Sequence, residues 1–152
     1  NGSGVLSWAA AGGGGGGGWF GSTTLLKVMP TDFFMNDDYT RAPLAVEDDT
    51  TDVLGIRAPS TAAELYAFIP IPTGYKATHV KVYTSTAKTN AVIAKSFNQT
   101  TGATVDKGTG DFNSLIDITD ITSSTTENIV IKVSPASVST VIYGADITIA
   151  AV

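Results

Sequence analysis

The sequence predicts an all-β domain, an antiparallel β-sandwich or jelly roll, preceded by a flexible glycine-rich N-terminal arm. Thr, Val and Ile, which favour pleated strands, are abundant from residue 23 onward. Apolar and polar residues alternate in several short runs, as in strands with one buried face. Turn-forming residues separate these runs at short intervals. The 152 residues fit one domain and can bury about two-thirds of the unfolded surface.

The N-terminal region differs sharply in composition from the rest of the chain. Ten of the 16 glycines fall within the first 21 residues, and seven are consecutive at Gly12–Gly18. Because glycine loses the most entropy on ordering, this run is expected to be a flexible linker. It follows an apolar peptide, Val5–Ala11, which suggests an arm that docks on a neighbouring subunit; a tail without a role is the alternative. We therefore divide the chain into an arm, residues 1–22, and a sandwich domain, residues 23–152. Since the chain begins with Asn rather than Met, we expect a sequence that is processed, truncated or incomplete at its front.

Alternation defines the predicted strands. In Leu65–Ile71 the odd positions form one apolar face, and in His79–Tyr83 the two valines point inward while the other residues point outward. Pro70 and Pro72 have no N–H to donate, so the first of these strands is expected to end there or to form a sheet edge. The other predicted strands are Leu25–Met29, Ala91–Phe97, Ile116–Ile118, Ile129–Val133 and Val141–Ala150.

Turn signals separate seven or eight predicted strands, a number typical of a sandwich. One helix signal occurs: Thr61–Glu64 fits a capping box. The residues after it alternate like a strand, so a single turn is the preferred interpretation. The predicted turns are Pro72–Gly74, Thr86–Asn90, Thr101–Gly102, Lys107–Gly110 and Ser134–Pro135.

Composition excludes several classes of function. The net charge is −5 and the nine Lys and Arg residues are scattered, which argues against nucleic-acid binding. The absence of Cys excludes disulfides, thiol nucleophiles and Cys-ligated zinc. No apolar stretch approaches the roughly 20 residues that span a bilayer, so no membrane partner is expected. With 43% hydrophobic and 15% charged residues, most of the chain is expected to fold.

The sequence gives no sign of catalysis, and we expect a non-enzymatic protein without cofactors. The only histidine, His79, lies in a predicted strand without the nucleophile and carboxylate of a catalytic triad, and is interpreted as a solvent-facing or interface residue. The glycine run is not followed by Lys and Ser or Thr, so it is not a phosphate-binding loop. Asn98–Thr100 is a glycosylation sequon that matters only in a secretory pathway.

Two acidic groups raise the possibility of calcium binding or of a paired-carboxylate glycosidase. Neither has the residue order of an EF-hand loop, so solvated acidic loops are the simpler interpretation and no metal site is predicted. A glycosidase would also need a groove lined with aromatic residues, and the candidates serve equally well as core or interface residues. The acidic groups are Asp32, Asp37 and Asp38, and Glu47, Asp48, Asp49 and Asp52; the aromatic candidates are Phe33, Phe34, Tyr39 and Tyr66.

Three stretches together resemble structural proteins of marine bacteriophages, including cyanophages. They are Lys27–Phe33 with Asn36–Asp38, Ile69–Tyr83 and Tyr143–Ala150. The resemblance covers residues 25–152, and its most specific part is Tyr75–Val80. It implies a virion or tail-associated structural protein located in the extracellular particle, with no catalytic residues. The glycine-rich arm is a departure from this family.

Several apolar and aromatic residues are candidates for an assembly interface, because aromatic side chains bury much area at low entropic cost. Tyr75 is expected at a loop tip formed by Gly74–Lys76, with packing on its own sandwich as the alternative. The arm contributes Val5, Leu6, Trp8, Trp19 and Phe20, and the domain contributes Phe33, Phe34 and Tyr75.

Our first hypothesis is a capsid-decoration or tail protein that assembles with copies of itself, as a trimer or another symmetric assembly, and with major capsid or tail proteins. The arm would add a strand to an exposed sheet edge. One alternative is a receptor- or glycan-binding tail-fibre module, which exposed aromatic residues in a groove and a bound calcium would favour. The other is a secreted surface-filament subunit that self-assembles by donated strands.

Overall fold

A computed structural model describes residues 24–36, 44–48 and 53–152. The predicted arm, residues 1–22, lies outside this part of the chain. No helix in the described part is long and apolar enough to cross a membrane. The elements are β1 (Leu25–Val28), a one-turn 3₁₀-helix (Pro30–Asp32), β2 (Phe33–Met35), β3 (Leu44–Asp48), β4 (Val53–Arg57), β5 (Leu65–Pro70), β6 (Tyr75–Thr84), β7 (Val92–Asn98), β8 (Thr104–Gly110), β9 (Ile116–Thr122), β10 (Glu127–Val133) and β11 (Ile142–Ala151).

The described strands form two antiparallel sheets, which confirms the predicted β-sandwich. The first sheet has the order β3-β4-β11-β6-β9, and β1 also pairs with β11. The second sheet has the order β2-β5-β10-β7-β8. Most strands that are neighbours in the sequence therefore lie in opposite sheets, and each sheet contains strands from both halves of the domain.

The core lies between the sheets, where the alternating apolar residues meet. In the first sheet Leu26, Ile147 and Val80 are side by side on β1, β11 and β6, and all three are buried. In the second sheet Ile131 on β10 lies between Ala67 and Ala94 and is also buried. The period-2 pattern thus predicts the inward faces correctly, because each strand buries one face against the opposite sheet.

Most predicted turns are confirmed. β5 ends at Pro70, and Gly74, with φ 84°, completes the turn before β6. The segment at Thr61–Glu64 is a turn and not a helix. There the backbone N–H of Ala62 donates to the Ser60 hydroxyl at 3.2 Å.

The predicted turn at Lys107–Gly110 is wrong, because these residues continue strand β8. A Cβ atom on Gly108 would lie 2.8 Å from the Ile118 side chain, and one on Gly110 would lie 2.6 Å from the Ile116 side chain. Glycine is required here because β8 of one sheet approaches β9 of the other. The turn follows β8, and Asn113 within it has φ 62°.

The predicted acidic loop is also wrong in part, because Glu47 and Asp48 belong to strand β3. They pair with Leu54 and Val53 of β4 in an antiparallel hairpin. Apolar residues at both ends of this region favour strands, and they outweigh the acidic residues between them. Asp49 and Asp52 lie outside the described residues.

Candidate functional site

A groove runs along the edge of the sandwich, where the chain crosses from the first sheet to the second. It forms because β2 pairs with only Leu65–Ala67 of β5. In the described part of the chain, Phe68–Pro70 therefore has a strand neighbour, β10, on one side only. The groove has a volume of about 460 Å³, which is within the range of ligand pockets. It is lined by Leu26, Lys27, Thr31, Asp32, Phe34, Phe68, Ile69, Pro70, Ile71 and Pro72.

The 3₁₀ turn that separates β1 from β2 forms one end of this groove. Pro30 starts the turn with its restricted φ angle. The backbone N–H of Met29 donates to Asp32 Oδ2 at 2.8 Å, and the Asp32 N–H donates back to the Met29 carbonyl at 3.0 Å. The Asp32 carboxylate therefore has a local structural role. The other members of its predicted acidic group, Asp37 and Asp38, lie outside the described residues.

The two phenylalanines of β2 point in opposite directions, as the pleat requires. Phe33 is 3% exposed and belongs to the core, so its prediction as an interface residue is wrong. Phe34 is 61% exposed and lines the groove, together with Phe68 of β5, which is 47% exposed. Phe34 is thus available for an interface, and Phe68 is a groove residue that the sequence prediction missed. The sequence feature that could have indicated Phe68 was its outward position in an alternating strand.

Tyr75 does not occupy a free loop tip, so that prediction is wrong and its alternative is correct. It is the first residue of β6, is partly buried and packs against the core. The adjacent Lys76 Nζ donates to Asp120 Oδ2 at 2.6 Å, which holds the cation on the domain surface. The remaining interface candidates lie outside the described residues: Val5, Leu6, Trp8, Trp19 and Phe20, as does Tyr39.

Beside the groove, the outer face of the second sheet carries a second, smaller depression. The ring centroids of Phe68 and Phe97 are 5.3 Å apart and the ring planes are inclined by 78°, an edge-to-face contact. Val130, whose register neighbours include Phe68, is 1% exposed although its position on β10 is outward. We call this depression the aromatic hollow; it is lined by Phe68, Pro70, Phe97, Gln99 and Asn128.

A charged network flanks the aromatic side chains on the same sheet. Lys132 Nζ lies 2.5 Å from Glu64 Oε1, and the Tyr66 hydroxyl donates to Glu64 Oε2 at 2.9 Å. Partial burial raises the pKa of Glu64, but the hydrogen bonds from Lys132 and Tyr66 outweigh it, so this pKa lies below its ordinary value. Burial, followed by the hydrogen bond to Glu64, raises the pKa of Tyr66. The hydrogen bond to Glu64 raises the pKa of Lys132. At neutral pH Glu64 and Lys132 are therefore charged and Tyr66 is neutral, and the three side chains act as a structural tie.

His79 lies beside a hydroxyl and a carboxylate, but the geometry does not match a catalytic triad. Its Nδ1 is 3.0 Å from the Thr78 hydroxyl, and its Nε2 is 3.6 Å from Asp117 Oδ1, which is too long for a hydrogen bond. Asp117 is largely exposed, and neither the groove nor the aromatic hollow includes these residues. Among the side chains that the structure describes, no three or more His, Asp or Glu residues are grouped to hold a metal ion.

Comparisons with known proteins give the fold but no family. No family model matches the chain. No curated protein sequence matches it either. A similar solved structure is that of the CBM22-1 and GH10 modules of an N-terminal endo-1,4-β-D-xylanase 10B from Clostridium thermocellum, complexed with xylohexaose. The identity is 15% and the TM-score 0.50, over 86% of this chain and 29% of that chain. The chain thus spans less than a third of that protein, and the likeness shows that both contain this β-sandwich fold.

Proposed function

We propose that this chain is a non-enzymatic structural subunit of a virus particle, a bacteriophage capsid-decoration or tail-associated protein that assembles with copies of itself. Two lines of support are independent of each other. The sequence resemblance over residues 25–152 suggests a virion protein. The groove at the sandwich edge provides a surface suited to a protein partner.

The observation that carries the assembly part of the proposal is the coincidence of exposed apolar side chains with an incomplete sheet edge. Phe34 and Phe68 are both exposed and line the same groove. The Phe68–Pro70 segment beside them has no strand neighbour on its groove side within the described residues. Open strand edges and grouped apolar side chains both favour association with another chain. A subunit of an assembly would bury both features in one contact.

The polar side chains of the domain support a structural role. Lys132 pairs with Glu64 and Lys76 pairs with Asp120. Lys95 on β7 likewise pairs with Asp106 on β8, next to the aromatic hollow. These pairs join neighbouring strands or the segments that flank them. Each pair lies within one sheet, and none of the paired residues lines the groove, whose lining is largely apolar.

Two measurements test this proposal. Sedimentation velocity of the full chain over a wide concentration range is expected to show a discrete oligomer. In particles produced with a chain that lacks residues 1–21, we expect the domain to fold but not to be incorporated. A full-length chain carrying Leu115→Lys, at an exposed site away from the groove, serves as the control and should be incorporated normally. A chain that stays monomeric at all concentrations and is absent from purified particles would contradict the proposal.

A second candidate function, oligosaccharide binding, is favoured by the aromatic hollow. Phe68 and Phe97 offer apolar ring surfaces, and the side-chain amides of Gln99 and Asn128 offer donors and acceptors within the same depression. Asn128 Nδ2 donates to Gln99 Oε1 at 3.2 Å, which positions both amides. Sites of this kind combine an apolar lining with a few placed polar groups. The solved xylanase chain, part of which has this fold, was complexed with xylohexaose; its identity to this chain is 15%.

Isothermal titration with xylohexaose, followed by a glycan array, tests this second candidate. Phe97→Ala should abolish any binding, whereas Leu115→Ala, at an exposed site, should not. If no oligosaccharide binds the full chain, or if Phe97→Ala binds as the unsubstituted chain does, the hollow is not a saccharide site.

A further inference from the structure

We infer that the groove accepts residues Val5–Ala11 from the arm of a second copy of this chain. The inference deepens the proposed function and rests on its assembly part. It names the segment that docks, the copy that donates it and the surface that receives it.

The groove requires an apolar, uncharged occupant. Leu26 and Ile71 form a buried apolar floor, and the rings of Phe34 and Phe68 form exposed walls. Of the two charged residues in the lining, Asp32 accepts a hydrogen bond from Met29. A charged segment placed on this surface would lose hydration without gaining a full set of partners. An apolar segment would release the exposed apolar area from water.

The arm meets these requirements. No charged residue precedes Lys27 in the sequence. In an extended conformation Leu6 and Trp8 lie on the same side of the strand, so both can enter one groove. Trp8 alone supplies a large aromatic surface. Val5–Ala11 contains no proline, so each residue whose backbone faces the edge of β5 has an N–H to donate.

The edge of β5 supplies main-chain partners for such a segment. β2 begins at Phe33, opposite Ala67, and covers only Leu65–Ala67, which leaves Phe68–Pro70 for an added strand. Pro70 has no N–H, so pairing along this edge is short and ends where the strand ends. The side chains of the arm therefore contribute most of the contact, and the short pairing fixes its direction and register.

The length of the linker favours a second copy over the same chain. Thirteen residues, Gly12 to Thr24, separate the apolar peptide from β1, and seven of them are consecutive glycines. A strand folded back on its own neighbour needs only about two to five connecting residues. Fully extended, thirteen residues reach about 45 Å, which is enough to cross to an adjacent domain. A glycine-rich connection of this length suits an arm exchanged between subunits.

The two tryptophans, Trp8 and Trp19, allow a direct test in the full chain. Trp19→Phe leaves Trp8 as the only tryptophan, and Trp8→Phe leaves Trp19 as the matched control. We expect Trp8 emission to be blue-shifted and severalfold less quenched by acrylamide in the oligomer. Both properties should revert on dilution, in step with the loss of oligomer in sedimentation velocity. Trp19 should show no such dependence on concentration.

Substitutions in the groove complete the test. Phe68→Lys and, separately, Phe34→Lys in the Trp19→Phe background should shift Trp8 emission to the red and reduce the oligomer to a monomer. Leu115→Lys in the same background is the control for an added surface charge and should change neither property. Thermal unfolding monitored by circular dichroism identifies any variant that fails to fold. If one groove variant fails to fold, the result of the other groove variant decides the test.

Each contrary outcome has a distinct meaning. Shielding of Trp8 in the dilute monomer would place the arm in the groove of its own chain and overturn the inference. Shielding of Trp19 in place of Trp8 would show that the wrong segment is named. An oligomer that persists in both groove variants, or that forms with Trp8 exposed, would overturn the inference and leave the assembly proposal standing. A protein that is monomeric at every concentration would count against both.

Discussion

Glu64 and Lys132 form a salt bridge of 2.5 Å between Oε1 and Nζ that joins the start of β5 to β10. The other carboxylate oxygen accepts hydrogen bonds from the Tyr66 hydroxyl at 2.9 Å and from Asn36 Nδ2 at 3.0 Å. The Glu64 N–H donates in turn to Asn36 Oδ1 at 2.9 Å. One carboxylate thus ties three segments of the second sheet together: the start of β5, strand β10 and Asn36, the residue that follows β2.

This network predicts a pH-dependent contribution to stability. The folded state lowers the pKa of Glu64 below the ordinary 4.5. Its contribution is therefore complete above pH 4.5 and is lost as the pH falls through the lower, folded-state value. We expect Glu64→Gln to lower the free energy of unfolding by about 1 kcal/mol at pH 7, given the partial exposure of the pair. The difference should shrink below pH 4.

Urea denaturation at pH 7 and pH 3 measures this effect. Asp117→Asn is the matched control, because its side chain is 88% exposed and its carboxylate lies 3.6 Å from His79 Nε2, too far for a hydrogen bond. An equal loss of stability for Glu64→Gln at both pH values would show that the charge of the carboxylate is not what stabilises the network.

A second prediction concerns Gly144, where the backbone of β1 approaches β11 closely. Its φ angle is 128°, and a Cβ atom there would lie 2.5 Å from the Val28 carbonyl oxygen. Gly144→Ala is expected to cost at least about 3 kcal/mol, because both the backbone conformation and the contact are unfavourable. Gly102→Ala is the control, since Gly102 has φ 72° but open space around it. Its cost should be about 1–2 kcal/mol. Thermal unfolding of both variants decides, and equal costs would contradict the close approach.

The core predicts a third result. Ile147 is fully buried on β11 between Leu26 and Val80 of the adjacent strands. Ile147→Ala is expected to lower the free energy of unfolding by about 2–5 kcal/mol, through lost burial and the remaining cavity. Leu115→Ala removes a side chain that is 63% exposed and should change stability by less than about 0.5 kcal/mol. Chemical denaturation of the two variants measures the contrast; a loss below 1 kcal/mol for Ile147→Ala would show that the site can collapse.

Sequence patterns predict which strand residues face the core, because the alternation of buried and exposed residues along a strand is a local property. Leu65, Val80 and Ile147 each lie inward at the alternation that the sequence displays. The exceptions arise from contacts between distant parts of the chain. Gly108 is not a turn residue, because it must admit the side chain of Ile118. Tyr75 is not a loop tip, because β6 begins at Tyr75, directly after Gly74, and so includes two residues of the predicted loop tip Gly74–Lys76.

The groove was beyond the reach of sequence patterns for the same reason. It exists because β2 begins only at Phe33, opposite Ala67, while β5 continues to Pro70. The offset between those strands depends on the 3₁₀ turn and on long-range pairing, neither of which leaves a periodic signal. The sequence did identify Phe34 as a candidate interface residue. It did not identify Phe68, which reads as one residue of an ordinary alternating strand.

A fourth prediction concerns Asn98, the first residue of the sequon. It distinguishes a structural role of the Asn98 side chain from a role as a glycosylation acceptor. Its Oδ1 accepts hydrogen bonds from the N–H groups of Thr100 and Thr101 at 3.0 and 3.1 Å. Its Nδ2 donates to Glu127 Oε1 at 3.0 Å. Asn98→Ala removes the side-chain bonds that shape the turn between β7 and β8, and is expected to cost about 1–2 kcal/mol. Thr100→Ala destroys the same sequon but retains every one of these bonds, so its stability should match that of the unsubstituted chain. Urea denaturation of both unglycosylated variants distinguishes the two roles. Equal stability of Asn98→Ala and Thr100→Ala would show that the amide bonds do not hold the turn.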